Sequence, residues 1–247
     1  MRLNTLPQLG GVELWRGASV IDGAPISYIA TLRSSNRKTD NMIQTWILRQ
    51  DMSPVDAVKD GSDESICGGC IHRAQDGKHR SCYVNVGQAP RSIWKSWCDG
   101  KYTRVDPDDF GEYYSTHRSV RLGAYGDPAA VPLDVTNAFM KHDWPSHTGY
   151  THQWEWCDRG WARYVMASVD TLEQKEVANS MGYRTFRVGG PDDAPVDDEI
   201  ICLADTIEHM TCLRCGLCCG YRENAKNIFI KVHGSGASNY TVKLKSN

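Results

Sequence analysis

A chain of 247 residues, 40% hydrophobic and 23% charged, is long enough to bury a full core and has neither a fibrous nor a disordered composition. Its formal net charge of −2 excludes a domain that grips duplex nucleic acid mainly through phosphates, which takes a clear basic excess. No run approaches the roughly 18 apolar residues of a membrane span, and Met1 to Gly11 lacks the apolar core of a signal peptide, so a cytoplasmic protein without membrane contact is expected.

The first segment, residues 1–60, reads as strands at 12–15, 26–30 and 42–48, rich in β-branched and aromatic residues. Turn chemistry separates them at Asp22-Gly23 and Ser34-Ser35-Asn36. Ser53-Pro54 then opens a short helix through Lys59, serine as the cap and proline at the first helical position. Residues 61–118 carry a cysteine loop and two helices. One spans 89–97, with Ile93, Trp94 and Trp97 on its apolar face; the other starts at Asp106-Pro107 and runs to His117.

Residues 119–202 alternate. Strands are expected at 120–124, 149–152, 164–169, 183–188 and 199–202. Between them come a helix at 132–141, a helical turn at 159–163, and a helix capped by Asp170 or Thr171 that stops before Gly182. Such alternation predicts right-handed βαβ units and an α/β fold, either an open parallel sheet or a partial (βα) barrel behind a β-rich start. Residues 203–247 form a cysteine-rich extension with one strand at 228–232, a flexible stretch at 234–238 and a last extended piece at 240–244.

In a reducing compartment the ten cysteines are expected to serve metals rather than disulfides. Cys212, Cys215 and Cys218 stand at a strict spacing of three, as in the bacterial ferredoxin run that holds three irons of one cubane. The fourth ligand is Cys202 or Cys219, with Cys202 preferred because adjacent cysteines rarely both face one cluster. A closed zinc site takes two C-x2-C pairs or one pair with two histidines, so iron–sulfur fits this run better than zinc. Cys67, Cys70 and Cys82 form a looser C-x2-C-x11-C set. With Cys98, His72 or His79 they make a closed site that suits zinc or iron; alone, they leave one iron open to a substrate or cofactor. The isolated Cys98 and Cys157 read as small buried hydrophobes.

Ligands of α/β sheets bind beyond the carboxyl ends of the strands. The residues expected there are Tyr125, Asp127, His152, Gln153, Ser168, Asp170 and Arg187, with Cys202 after them. Asp127, His152, Asp170 and Arg187 are candidate catalytic groups; Tyr125, Gln153 and Ser168 are candidate cofactor contacts. Asp127 before Pro128 equally shapes a turn, and Asp170 equally caps a helix. Cys202 at a strand end would bring both cysteine sets to one end of the sheet.

The stretches Ser65 to Arg73, Ser81 to Pro90, Val120 to Ala129, Thr148 to Trp154 and Cys212 to Cys218 resemble a group of uncharacterised bacteriophage and gene-cassette proteins. More distantly, the order of parts resembles the radical-SAM superfamily: a three-cysteine [4Fe–4S] loop, a partial (βα) barrel and an auxiliary cluster in a C-terminal extension. That resemblance implies a reactive cluster on Cys67, Cys70 and Cys82 with S-adenosylmethionine as its co-substrate. An auxiliary cluster would sit on Cys202, Cys212, Cys215 and Cys218. The spacing departs from the superfamily's C-x3-C-x2-C. The function expected is that of an iron–sulfur protein acting in redox or radical chemistry. The alternative is a zinc-stabilised binding protein that meets host protein or nucleic acid through Trp94, Trp97, Trp154 and Trp156.

Overall fold

The computed structural model describes residues 10–74 and 79–240; the readings made for the first nine residues and for 241–244 lie outside them. β1 (Gly11–Ala18), β2 (Pro25–Thr31) and β3 (Ile43–Arg49) form an antiparallel meander. The chain then makes α1 (Pro54–Asp60), where the Ser53 hydroxyl accepts from the Asp56 amide, and α2 (Glu64–Cys67). α3 (Ala89–Cys98), a two-residue β4 (Thr103–Arg104) and α4 (Pro107–Tyr114) follow. Next come β5 (Val120–Tyr125), α5 (Leu133–Met140), β6 (His147–Thr151), β7 (Met166–Val169), α6 (Leu172–Ser180) and β8 (Thr185–Gly189). The last elements are β9 (Glu199–Ile201), α7 (Leu203–Thr206), α8 (Cys212–Cys215) and β10 (Asn227–Lys231).

The ten strands form one sheet in the order β4-β1-β2-β3-β5-β6-β7-β8-β10-β9. Beyond the meander every pairing is parallel. From β5 to β8 each parallel strand lies beside the one before it, without the reversal that marks a doubly wound sheet. Right-handed crossovers then carry the connecting helices to one face. The packing agrees: Leu122, Ala167 and Val169 share a core with Phe110 of α4, Phe139 of α5 and Ala178 of α6. Side chains alternate along β7, so Met166 points to the opposite face, where it packs with Ile228, Cys218, Phe186 and Tyr150. The fold is an open, mostly parallel α/β sheet, with the cysteine-rich extension lying on the face the helices leave free.

Three expectations change. Residues 234–238 are docked rather than flexible. Ala237–Asn239 makes a 3-10 turn, Tyr83 stacks on His233 at 5.5 Å, and Tyr240 Oη donates to the Val188 carbonyl at 2.7 Å. Cys98 is exposed at the end of α3, while Cys157 is buried with its sulfur 3.4 Å from Tyr183 Oη, as a small core residue should be. The helix opened by Asp106 ends at Tyr114, three residues short of His117. No helix among the described residues is long and apolar enough to cross a membrane.

His147, at the start of β6, has a buried Nε2 without a partner among the described residues, and burial pushes the group down to about 4. A histidine kept neutral by folding binds protons more readily when unfolded, so its contribution is intact above pH 6.5 and is lost as pH falls toward 4. Wild-type protein should therefore lose about 2 kcal/mol from this residue between pH 7 and pH 5. Urea denaturation of His147→Gln at the two pH values should show a drop smaller by that amount; an equal drop would assign the acid sensitivity elsewhere.

Candidate functional site at the two cysteine groups

The first cysteine loop lies over the carboxyl ends of β5, β6 and β7, and hydrogen bonds fix it there. The Asp127 amide donates to the Ile66 carbonyl at 2.6 Å, and the Gln153 side chain donates to the Cys67 carbonyl at 2.9 Å. Gly68 sits at φ +54°, and a Cβ there would run into the Gln153 amide. The reason for glycine at position 68 is therefore the close approach of a strand-end side chain. Arg73 clamps the loop from within. Its buried guanidinium donates to Asp63 at 2.9 Å, to the Gly68 carbonyl at 2.9 Å and to the Gly61 carbonyl at 2.6 Å.

Within this loop burial pushes the thiols of Cys67 and Cys70 up, and Cys82 lies near enough to add to the shift at both. Free thiols held this way stay protonated, so binding a metal here releases protons. Around them stand Tyr125, whose buried Oη has no partner among the described residues, and Arg80, which hydrogen-bonds Cys82 while its buried Nε has none. Unsatisfied donors facing a three-thiol group fit a bound anion-rich cluster, which accepts hydrogen bonds at its sulfurs.

Of the strand-end residues, Tyr125, Asp127, His152, Gln153 and Asp170 meet this loop. Asp127 is fully engaged: one oxygen accepts from Ala129 N at 3.0 Å, the other from His152 N at 2.7 Å and from Gln153 Nε2 at 3.2 Å. It positions its neighbours rather than offering a free carboxylate. Asp170 is released from helix capping, because Thr171 takes that role, and it lies 3.0 Å from His72 Nε2. Ser168, two residues before Asp170, faces the same side of β7. Arg187 stands apart. It pairs with Val169, so it shares the face opposite Asp170, where it is bonded to Glu199 at 2.8 and 2.6 Å above the Phe229 ring.

The second group differs in place from the expectation. Cys202 follows β9, and its amide donates to the Phe229 carbonyl. Cys218 is shifted upward by burial first and further by Cys202, Cys212 and Cys215, so these four thiols share one neighbourhood. Cys219 turns away, its sulfur 3.9 Å from Arg184. Much of the extension lies at the amino ends of the parallel strands, while Cys202 itself stands at the carboxyl end of β9 and the Cys218 carbonyl accepts from Gly149 N within β6. Cys212 N bonds to the Lys38 carbonyl ahead of β3, and Tyr221 N to the Ala162 carbonyl ahead of β7. Arg184, just before β8, donates to the carbonyls of Leu217, Cys219 and Lys226. Gly220 passes so close to residues 162–164 that a Cβ would strike their backbone.

The second group packs on the face that the helices leave free, with Cys218 and Cys202 against Met166, Ile228 and Tyr150, while the first lies over the carboxyl ends of β5, β6 and β7. Between them Arg121 donates to Tyr83 Oη at 2.6 Å, and Tyr150 hydrogen-bonds Cys218. Sequence reasoning missed Arg73 and Arg184, since neither has a local signal beyond a charge in a cysteine-rich or strand-start stretch. It also missed His72 as the partner of Asp170. The tryptophans of the alternative reading are largely spent on internal bonds: Trp94 on the Arg49 carbonyl, Trp97 on Glu13 and Trp154 on the Ser168 carbonyl. Trp156 alone of the four is 52% exposed.

A single tetrahedral zinc, with bonds of about 2.3 Å, draws its sulfurs to within roughly 4 Å of one another. Among the described residues the trio of ligand atoms gathered within 4.8 Å is His72, His152 and Asp170; neither cysteine group is drawn in that tightly. The chain matches no family model, no curated protein and no solved structure, so its function has to be read from these side chains.

Proposed function

We propose that this chain is an iron–sulfur protein, with one cluster on Cys67, Cys70 and Cys82 and a second on Cys202, Cys212, Cys215 and Cys218. The support for the reading is that Cys202, Cys212 and Cys215 all lie near enough to Cys218 to add to the upward shift that burial gives its thiol, while the four are not gathered as tightly as the His72, His152 and Asp170 ligand atoms. The first group has three thiols, two unsatisfied donors and a polar floor of strand-end residues, which supports it as the reactive site. A bound cluster would supply single electrons there. Tyr125 and Arg80 would hydrogen-bond it, Gln153 and Arg73 would hold the loop's backbone, and the buried surroundings would exclude water. The consecutive parallel order β5-β6-β7-β8 supports a scaffold of the partial-barrel kind, with S-adenosylmethionine as the candidate co-substrate at the three-thiol site.

Protein purified without oxygen should contain about eight iron and eight labile sulfide per chain, as two cubanes require. Stoichiometric zinc with no sulfide would overturn the reading and favour the zinc-stabilised binding protein.

A further inference from the structure

Beside the three-thiol group lies a cluster of a different chemical character. His72 Nε2 and Asp170 Oδ1 are 3.0 Å apart, and their side chains are 10% and 6% exposed. The His152 ring meets the His72 ring edge-on, with centroids 5.8 Å apart. One ligand atom from each of the three residues falls within 4.8 Å of the others. The second, independent observation is at His152: its Nε2 is buried and has no hydrogen-bond partner among the described residues. A buried ring nitrogen left unpaired is costly unless something occupies the space in front of it.

We propose that His72, His152 and Asp170 bind one divalent first-row transition-metal ion, separate from the cysteine-held groups. Two imidazoles and one carboxylate are a nitrogen–oxygen donor set with coordination positions to spare, the pattern that suits iron(II), manganese(II) or zinc(II) and leaves room for a substrate oxygen or water. The surroundings supply the outer support such a site needs. Ser81 Oγ lies 2.9 Å from His72 Nδ1. With Nε2 on the metal, Nδ1–H would donate to that hydroxyl and hold the ring in place. The His152 amide is anchored by Asp127, and Tyr240 stacks on His72 at 5.7 Å, closing the outer side. His72 and Asp170 come from segments 98 residues apart, and His152 from a third. The metal would join the first cysteine loop to β6 and β7.

The proposal does not depend on the cysteines holding iron, and its test is chosen accordingly. Manganese(II) prefers nitrogen and oxygen donors to thiolate, so it probes this site and leaves the thiols out. Protein as purified, titrated with manganese(II) and followed by the loss of the free-ion electron paramagnetic resonance signal, should take up one equivalent. His152→Ala should abolish that uptake, and Ser81→Ala should weaken it about 10- to 100-fold. In protein labelled at its eight histidines, bound manganese should broaden the imidazole signals of two before any others. That measurement uses the wild type and stands even where a variant fails to fold. Absence of uptake, uptake unchanged in a folded His152→Ala, or broadening spread evenly over the histidines would overturn the site.

Discussion

On the proposed two-cluster reading, Cys67→Ala is expected to remove about half of the iron and labile sulfide from protein purified without oxygen, and Cys215→Ala the other half. The expectation follows from the separation of the two groups: Cys67 belongs with Cys70 and Cys82, Cys215 with Cys202, Cys212 and Cys218. A three-thiol site reduced to two loses its grip, while the distant site keeps its four ligands. The double variant should hold neither metal nor sulfide. Cys219→Ala is the control, because its sulfur faces Arg184 and should leave the content unchanged. Equal loss of all iron in both single variants would mean one shared centre and would remove the two-cluster arrangement. Thermal unfolding of each variant separates a lost ligand from a lost fold.

The second large effect is on stability and lies away from the cysteines. Glu199→Ala should cost about 3–5 kcal/mol in urea unfolding, because it leaves the Arg187 guanidinium buried without its counter-charge. The two side chains are 5% and 0% exposed, so water cannot take over the carboxylate's part. The paired replacement Arg187→Met with Glu199→Leu should recover most of that loss, as apolar groups of similar volume pack over Phe229. Iron content should stay at the wild-type level in the doubly substituted protein. Loss of iron there would return Arg187 to the candidate site.

Arg187 also shows where sequence reading reaches its limit. A strand at 183–188 puts it near the strand's end, among residues that greet a ligand. The strand runs from Thr185 to Gly189, Arg187 falls in the middle, and period-two alternation sends it to the far face with Val169. His152 and Asp170, one residue past their strands, were placed correctly because nothing in the backbone remained to turn them. The βαβ alternation and the caps at Ser53, Asp106 and Thr171 were legible, since local chemistry sets them. The position of the cysteine extension was not. Spacing alone grouped its thiols, but which end of the sheet it covers is decided by Lys38, Ala162 and Arg184, contacts that no local pattern announces.

The edge of the sheet carries a consequence for how the molecule is made. β10 is inserted between β8 and β9, so β9 has no partner until the final strand has emerged from the ribosome. Cys202 hangs from β9, and Cys212, Cys215 and Cys218 lie in the excursion between the two strands. Cys67, Cys70 and Cys82, by contrast, sit over strands synthesised well before. Newborn chains interrupted ahead of Asn227 would therefore lack both the strand that fixes Cys202 and the segment that docks on Tyr83 and His72 beside the first thiol group, so neither group is fully assembled until the end of synthesis.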